Sequence, residues 1–100
     1  MHSRQKTHPR KISRYEFDKL FPDRPLLEKF TGELVEWFTN EGNNILGAID
    51  HEPRTGTWSY VVIIQKPEGD LRVVELNENI VSRPVAEAEL FRKMEAAETM

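Results

Sequence analysis

Asp50, His51 and Glu52 are consecutive and form the one charged cluster with a histidine outside the N-terminal segment. An acid next to a histidine can tune the imidazole to act as a general base. However, alternate side chains of a strand point to opposite faces, so this spacing places Asp50 and Glu52 together and away from His51. The cluster also leads into a loop containing Pro53 and Gly56, where polar residues are common. A structural role is therefore favoured, and we expect no enzymatic activity.

Other spacings that would support catalysis or cofactor binding are absent from the sequence. The 100 residues include no cysteine, which excludes a disulfide framework, a thiolate metal site and a cysteine nucleophile. The chain has no H-E-x-x-H metal-binding pattern, no glycine-rich phosphate loop and no G-x-S-x-G pattern. We therefore expect no metal and no cofactor.

The N-terminal segment carries a charge opposite to that of the remaining chain. Its first 14 residues contain no acid and five basic residues, namely Arg4, Lys6, Arg10, Lys11 and Arg14. The other nine Lys and Arg residues are outnumbered by 17 Asp and Glu residues, which gives +5 on this segment and −8 on the rest. Because positions 2 to 11 hold no apolar residue, the sequence predicts a flexible basic arm over residues 1–12.

Two hypotheses apply to this basic arm. Its five charges could neutralise phosphates of a nucleic acid, with residues 1–14 as the contact. Alternatively, the arm is a solvated tail that folds back on the acidic body. The second hypothesis is favoured, because five charges are few and no aromatic side chain lies between them to stack on bases.

Helices are predicted after this arm. Ser13 and Glu16 have the spacing of a capping box, which predicts a helix over residues 14–21 that ends at Pro22. Asp23 can cap a second helical segment that extends to about residue 31.

The chain after Gly32 allows two structures. Apolar residues at helical spacing would permit one long helix through residues 27–38. However, residues 34–39 are rich in strand formers and run into a Gly/Asn turn, after which the apolar run 45–49 begins. We favour a hairpin of two strands.

Two further strands are predicted over residues 57–65 and 71–76, joined by a turn. In the first of them, alternation places Trp58, Tyr60, Val62 and Ile64 on one face and Ser59, Val61, Ile63 and Gln65 on the other. Short connections indicate antiparallel pairing.

A C-terminal helix begins after Ser82, a natural N-cap, with Pro84 in its first turn. Its apolar stripe consists of Ala86, Leu90, Met94 and Ala97. The sequence thus predicts one α+β domain over residues 13–98, an antiparallel meander of three to four strands with N-terminal helices and a C-terminal helix.

Trp37-Phe38, Gly42 and Leu46-Gly47, followed by Trp58-Ser59-Tyr60-Val61-Val62, resemble the W-F-x-x-x-G-x-x-L-G hairpin and the next strand of a small domain of uncharacterised bacterial proteins, from which this chain departs at Asn43-Asn44 in the turn. Ser82, Leu90 and Met94 continue the resemblance, which covers roughly residues 34–96. It supports the hairpin and a bacterial origin, and it implies no activity or catalytic residue.

The predicted central strand is apolar on both faces, and each face needs cover. Helices can supply it, or a second copy of the chain, or a ligand. The first functional hypothesis is a non-enzymatic interaction domain that forms a homodimer through an apolar surface including Trp37, Trp58 and Tyr60. The alternatives are a nucleic-acid accessory protein that binds through the arm, and a small-ligand sensor that uses the aromatic face.

The sequence has no membrane-spanning or signal-like apolar run, so a cytoplasmic protein is expected.

Overall fold

A five-stranded antiparallel sheet organises the structure, a computed structural model that describes residues 9–20, 33–42, 44–68 and 70–98. In chain order the elements are β1 (Arg10–Ile12), α1 (Arg14–Leu20), β2 (Glu33–Thr39), β3 (Ile45–Glu52), β4 (Thr57–Gln65), β5 (Leu71–Ile80) and α2 (Arg83–Ala97). The strands follow one another across the sheet in this order. The predicted α+β class and antiparallel pairing are confirmed, but the predicted three to four strands are too few.

The additional strand is β1, in a segment that the sequence assigned to the flexible arm. It pairs with β2, with Ile12 opposite Trp37. Ile12 is buried, and this burial helps to offset the entropy that the segment loses on joining the sheet. Residues 10–12 of the predicted arm thus form a strand of the sheet, while residues 1–8 of the arm lie outside the described ranges.

Both described helices begin at serine caps that the sequence predicted. The backbone N–H of Glu16 donates to Ser13 Oγ at 3.0 Å, and that of Val85 donates to Ser82 Oγ at 3.4 Å. The predicted second helical segment, from Asp23 onward, lies outside the described residues. Within those residues, no helix is both long enough and apolar enough to cross a membrane.

The predicted hairpin of β2 and β3 is confirmed. Asn40 closes its turn, because its side-chain Oδ1 accepts from the backbone N–H groups of Asn44 and Ile45 at 3.0 and 3.1 Å. Thr39 Oγ1 donates to the Ile45 carbonyl at 2.8 Å. Side chains therefore satisfy polar backbone groups at the buried end of the hairpin.

The two faces of β4 bury different clusters, as the alternation predicted. Tyr60 and Val62 lie on the face that packs against α2, which we call the α2 face. Val61 and Ile63 lie on the other face in a cluster with Phe17 of α1, and we call this the Phe17 face. Both side-chain layers are buried within a single copy of the chain.

The side chains of α2 lie very close to the sheet backbone at Gly47. A Cβ at this position would overlap Met94 Sδ and lie 3.0 Å from Leu90 Cδ1. The predicted apolar stripe of α2 is confirmed, since all four of its residues are buried. A glycine in β3 is thus what lets these side chains rest directly on the sheet.

The strand β5 is longer and less regular than predicted. It continues to Ile80 instead of ending at residue 76, and its register with β4 shifts twice. One shift leaves Val74 as an extra residue, because Ile63 pairs with Val73 while Val62 pairs with Glu75. The other shift lies next to Asn79, whose φ of 64° is in the left-handed region.

Candidate interaction surface

Trp37, one of three aromatic residues predicted to form an interaction surface, lies in the core on the Phe17 face. Its ring stacks on Phe17 with centroids 4.0 Å apart, and the Arg14 guanidinium lies 5.8 Å from its ring centroid. Only 7% of the residue is exposed. Trp37 therefore holds α1 against the sheet.

The other two aromatic residues lie on the opposite, α2 face. Tyr60 is fully buried, and its hydroxyl donates to Glu89 Oε1 of α2 at 3.3 Å. Burial raises the pKa of the Tyr60 hydroxyl, and the nearby negative charges of Glu89 and Glu75 act in the same direction. Asn77 Nδ2 donates to the same Glu89 oxygen at 3.2 Å, so this group of side chains joins β4, β5 and α2.

Trp58 is half-buried between two side chains. The imidazole of His51 lies on one side with ring centroids 4.4 Å apart, and the Arg83 guanidinium lies 5.8 Å from the Trp58 ring. The structure therefore does not bring Trp37, Trp58 and Tyr60 together on one exposed surface. Helices cover the two sheet faces on which these residues lie.

The basic residues predicted to contact nucleic acid lie partly in β1 and α1. Arg10 forms an ion pair with Glu16 at 2.8 Å, Arg14 forms one with Asp18 at 3.5 Å, and Lys11 forms one with Glu36. Arg4 and Lys6 lie outside the described residues. The three described basic side chains thus point their charges at acidic groups of the same chain.

Glu36 is the most enclosed member of these ion pairs. Both Lys11 of β1 and Arg83 of α2 bind its carboxylate, and 12% of its side chain is exposed. Burial by itself would raise the pKa of the Glu36 carboxyl. The hydrogen bonds and positive charges of Lys11 and Arg83 outweigh that effect and hold the pKa below its usual range. This acid therefore ties β1, β2 and the start of α2 together.

Asp50, His51 and Glu52 lie in three different surroundings. His51 packs on Trp58, and Asp50 is buried. The backbone N–H and the guanidinium of Arg54 both donate to Glu52 at 3.2 Å, and they lower the pKa of its carboxyl. In the described ranges, no three His, Asp or Glu side chains are grouped so that they could hold a metal ion.

The surface that sequence reasoning missed is on β5. Leu76 is 52% exposed and Val73 is 36% exposed. They pair with Val61 and Ile63, so both lie on the Phe17 face at the outer strand of the described sheet. Leu71 packs beside them at the start of the strand. We call Leu71, Val73 and Leu76 the β5 stripe.

Strict alternation along β5 would hide this stripe. It places Val73 and Leu76 on opposite faces, because they are three residues apart. The extra residue Val74 shifts the alternation and returns Leu76 to the face of Val73. No residue type in the sequence marks that shift, so the stripe becomes visible only in the paired sheet.

Comparison with protein-family models, with curated proteins and with solved structures gives no match for this chain. The resemblance to the bacterial hairpin domain therefore stays a prediction.

Proposed function

We propose that this chain is a non-enzymatic interaction domain that self-associates, with a second copy docking on the β5 stripe. The observation that carries the proposal is the exposure of Leu76 and Val73 side by side on the outer strand. Edge strands offer backbone groups to a partner strand, and adjacent apolar side chains add burial to that pairing. A second copy is the partner that this stripe fits, because the stripe can pack on itself.

The remaining described surface offers less to a partner. The other exposed large apolar residues are Tyr15, Val81 and Val85, which lie on α1 and around the start of α2. Single exposed apolar side chains are normal on a protein surface, whereas neighbouring ones on an edge strand favour contact. The sequence has no cysteine, which is compatible with the reducing cytoplasm, where we propose that the domain acts.

The test compares Leu76→Glu with Val85→Glu, a matched change at a residue that is 44% exposed in the first turn of α2. Size-exclusion chromatography with light scattering should give the wild type a mass about twice 11.7 kDa. We expect Leu76→Glu to be monomeric, because dimerisation would bury its charge. We expect Val85→Glu to behave as the wild type, since an acid suits a helix N-terminus.

Two outcomes would overturn the proposal: a wild type that is monomeric up to hundreds of micromolar, or a Leu76→Glu variant that stays dimeric. Thermal unfolding followed by circular dichroism confirms that each variant is folded. Leu76→Thr, which keeps a strand-forming residue, provides a second test with a smaller structural change. We expect it to weaken the dimer without abolishing it.

The alternative of nucleic-acid binding has weaker support. The described basic residues Arg10, Lys11 and Arg14 would have to leave their ion pairs to reach phosphates. A fall of log K against log salt with a slope of about −4 to −5 would require all five basic residues of the segment to bind phosphates. Such a slope would favour this alternative. The ligand-sensor alternative has less support than self-association, because α2 packs over Tyr60 on the aromatic face.

A further inference from the structure

The positions of charges on β5 define how a second copy would pair with it. Arg72 pairs with Ile64 and Glu75 pairs with Val62, so both charged residues lie on the α2 face, opposite to the β5 stripe. Arg72 is exposed and forms no ion pair within the ranges that the structure describes. Glu75 lies 3.8 Å from Lys93 of α2. The outer strand β5 therefore carries Arg72, which has no described ion pair, and the carboxylate of Glu75 three residues later.

We propose that two copies of β5 pair antiparallel about a two-fold axis that passes between Val74 and Glu75. Residues that lie opposite each other in an antiparallel pair must share a face of the joint sheet. This axis places Val73 opposite Leu76 of the partner subunit, on the Phe17 face, and places Arg72 opposite Asn77 of the partner subunit, on the α2 face. The pairing presupposes the self-association proposed above and specifies its geometry.

The same axis makes Arg72 a diagonal neighbour of Glu75 of the partner subunit. Diagonal neighbours across two strands lie about 7–8 Å apart at their backbones, within reach of an Arg–Glu ion pair. The two Glu75 carboxylates approach each other near the axis. Each of them is flanked by its own Lys93 and by Arg72 of the partner subunit. Positive and negative charges therefore balance across the contact.

Two other axes fit the strand less well. An axis through Val73 would place Leu71, on the Phe17 face, opposite Glu75, on the α2 face. An axis through Leu76 would bring the two Glu75 carboxylates together as diagonal neighbours, with Arg72 too far away to neutralise them. Registers are selected by such mismatches as well as by favourable contacts. The extra residue Val74 interrupts the backbone ladder at the axis, so the flanking side chains decide the register.

Charge reversal tests this register. Arg72→Glu gathers four carboxylates at the axis of a homodimer, and Glu75→Arg gathers four guanidinium groups. We expect each variant alone to raise the dimer dissociation constant at least about tenfold. An equimolar mixture of the two variants restores opposite charges at every contact. We expect the mixture to form a heterodimer at least as tight as the wild-type dimer.

Arg92→Glu is the matched control, because it makes the same charge change at an exposed position of α2. The double variant Arg72→Glu with Glu75→Arg in one chain should recover the homodimer. The measurement is sedimentation velocity with each variant folded by circular dichroism.

The outcomes separate this register from the self-association itself. If Arg72→Glu dimerises as the wild type does while Leu76→Glu is monomeric, the register is wrong and the β5 stripe still binds a second copy. If the mixture of charge-reversed variants stays monomeric, the Arg72–Glu75 contact is also refuted. If the wild type itself is monomeric, both the proposed function and the register fail.

Discussion

The two outer strands of the described sheet, β1 and β5, have opposite properties. The strand β1 has three residues, and Arg10 and Lys11 are both held in ion pairs with acids of the same chain. The strand β5 has ten residues, two exposed apolar side chains and an arginine outside any described ion pair. Short, charged edges resist pairing with another chain, and longer edges with apolar side chains invite it.

The difference between the two edges shows which charges of the chain are paired within it. The basic segment is neutralised locally, because Glu16, Asp18 and Glu36 lie next to its described cations. In contrast, β5 carries both Arg72 and Glu75, and the order of these two charges would select the register of the proposed dimer. Four experiments test the contrast between the two edges, from the largest expected effect to the smallest.

The ion pair between Lys11 and the largely buried Glu36 carboxylate anchors β1. Glu36→Gln removes the charge that Lys11 and Arg83 bind, and we expect it to lower the free energy of unfolding by about 1–3 kcal/mol at neutral pH. The proposed dimer should persist in this variant, because β5 is untouched. Urea unfolding at constant pH measures the first effect, and light scattering measures the second. If Glu36→Gln abolished the dimer without lowering the stability, the prediction that β1 and β5 act independently would be wrong.

The same pair predicts a pH dependence. Because the pKa of Glu36 is lowered in the folded state, the unfolded state binds more protons. The stabilisation is therefore complete above the ordinary pKa of about 4.3 and is lost as the pH falls through the lowered pKa. We expect the difference in stability between the wild type and Glu36→Gln to shrink over that acidic range. A difference that stays constant would show that Glu36 acts through packing alone.

The left-handed backbone at Asn79 shapes the far end of β5. Asn79→Val places a β-branched residue at a φ of 64°, and we expect a loss of about 1–2 kcal/mol in the free energy of unfolding. Asn79→Gly is the control and should cost no more than a few tenths of a kcal/mol, since glycine accepts this conformation. Equal losses in the two variants would indicate that the Asn79 side chain, and not its backbone, is what matters.

The exposed pair of Arg10 and Glu16 should contribute least. Their side chains are 48% and 39% exposed, and we expect Arg10→Ala to change the free energy of unfolding by less than about 0.5 kcal/mol. Thermal unfolding at low and high salt measures it. A loss above 1 kcal/mol would mean that the Arg10–Glu16 pair secures β1 as strongly as the pair of Lys11 with the largely buried Glu36 does.

Local patterns predicted most of the fold correctly. Ser13 and Ser82 were recognised as caps because capping depends on a few neighbouring residues. The alternation of β4 was correct because both sheet faces are buried and each side chain follows the period of two. The hairpin followed from the turn residues around Asn40.

The candidate site could not be predicted in the same way. The sequence proposed Trp37, Trp58 and Tyr60 because large aromatic side chains are common at interfaces. Whether such a residue is exposed depends on what packs over it, and Phe17 and α2 lie far from these residues in the sequence. One apolar residue, Ile12, is too weak a signal to predict a strand. The strand β1 forms through its pairing with β2, in which Ile12 lies opposite Trp37.

The sequence by itself determined the helix caps, the turns, the alternating apolar pattern of β4 and the opposite charges of the N-terminal segment and the body. These features depend on residues within about one turn or one strand of each other. Tertiary structure decided that β1 joins the sheet, that Trp37 and Tyr60 are core, and that Val73 and Leu76 share an exposed face. Those outcomes depend on pairing between distant segments, where the extra residue Val74 reverses the face of the side chains that follow it, up to the second shift near Asn79.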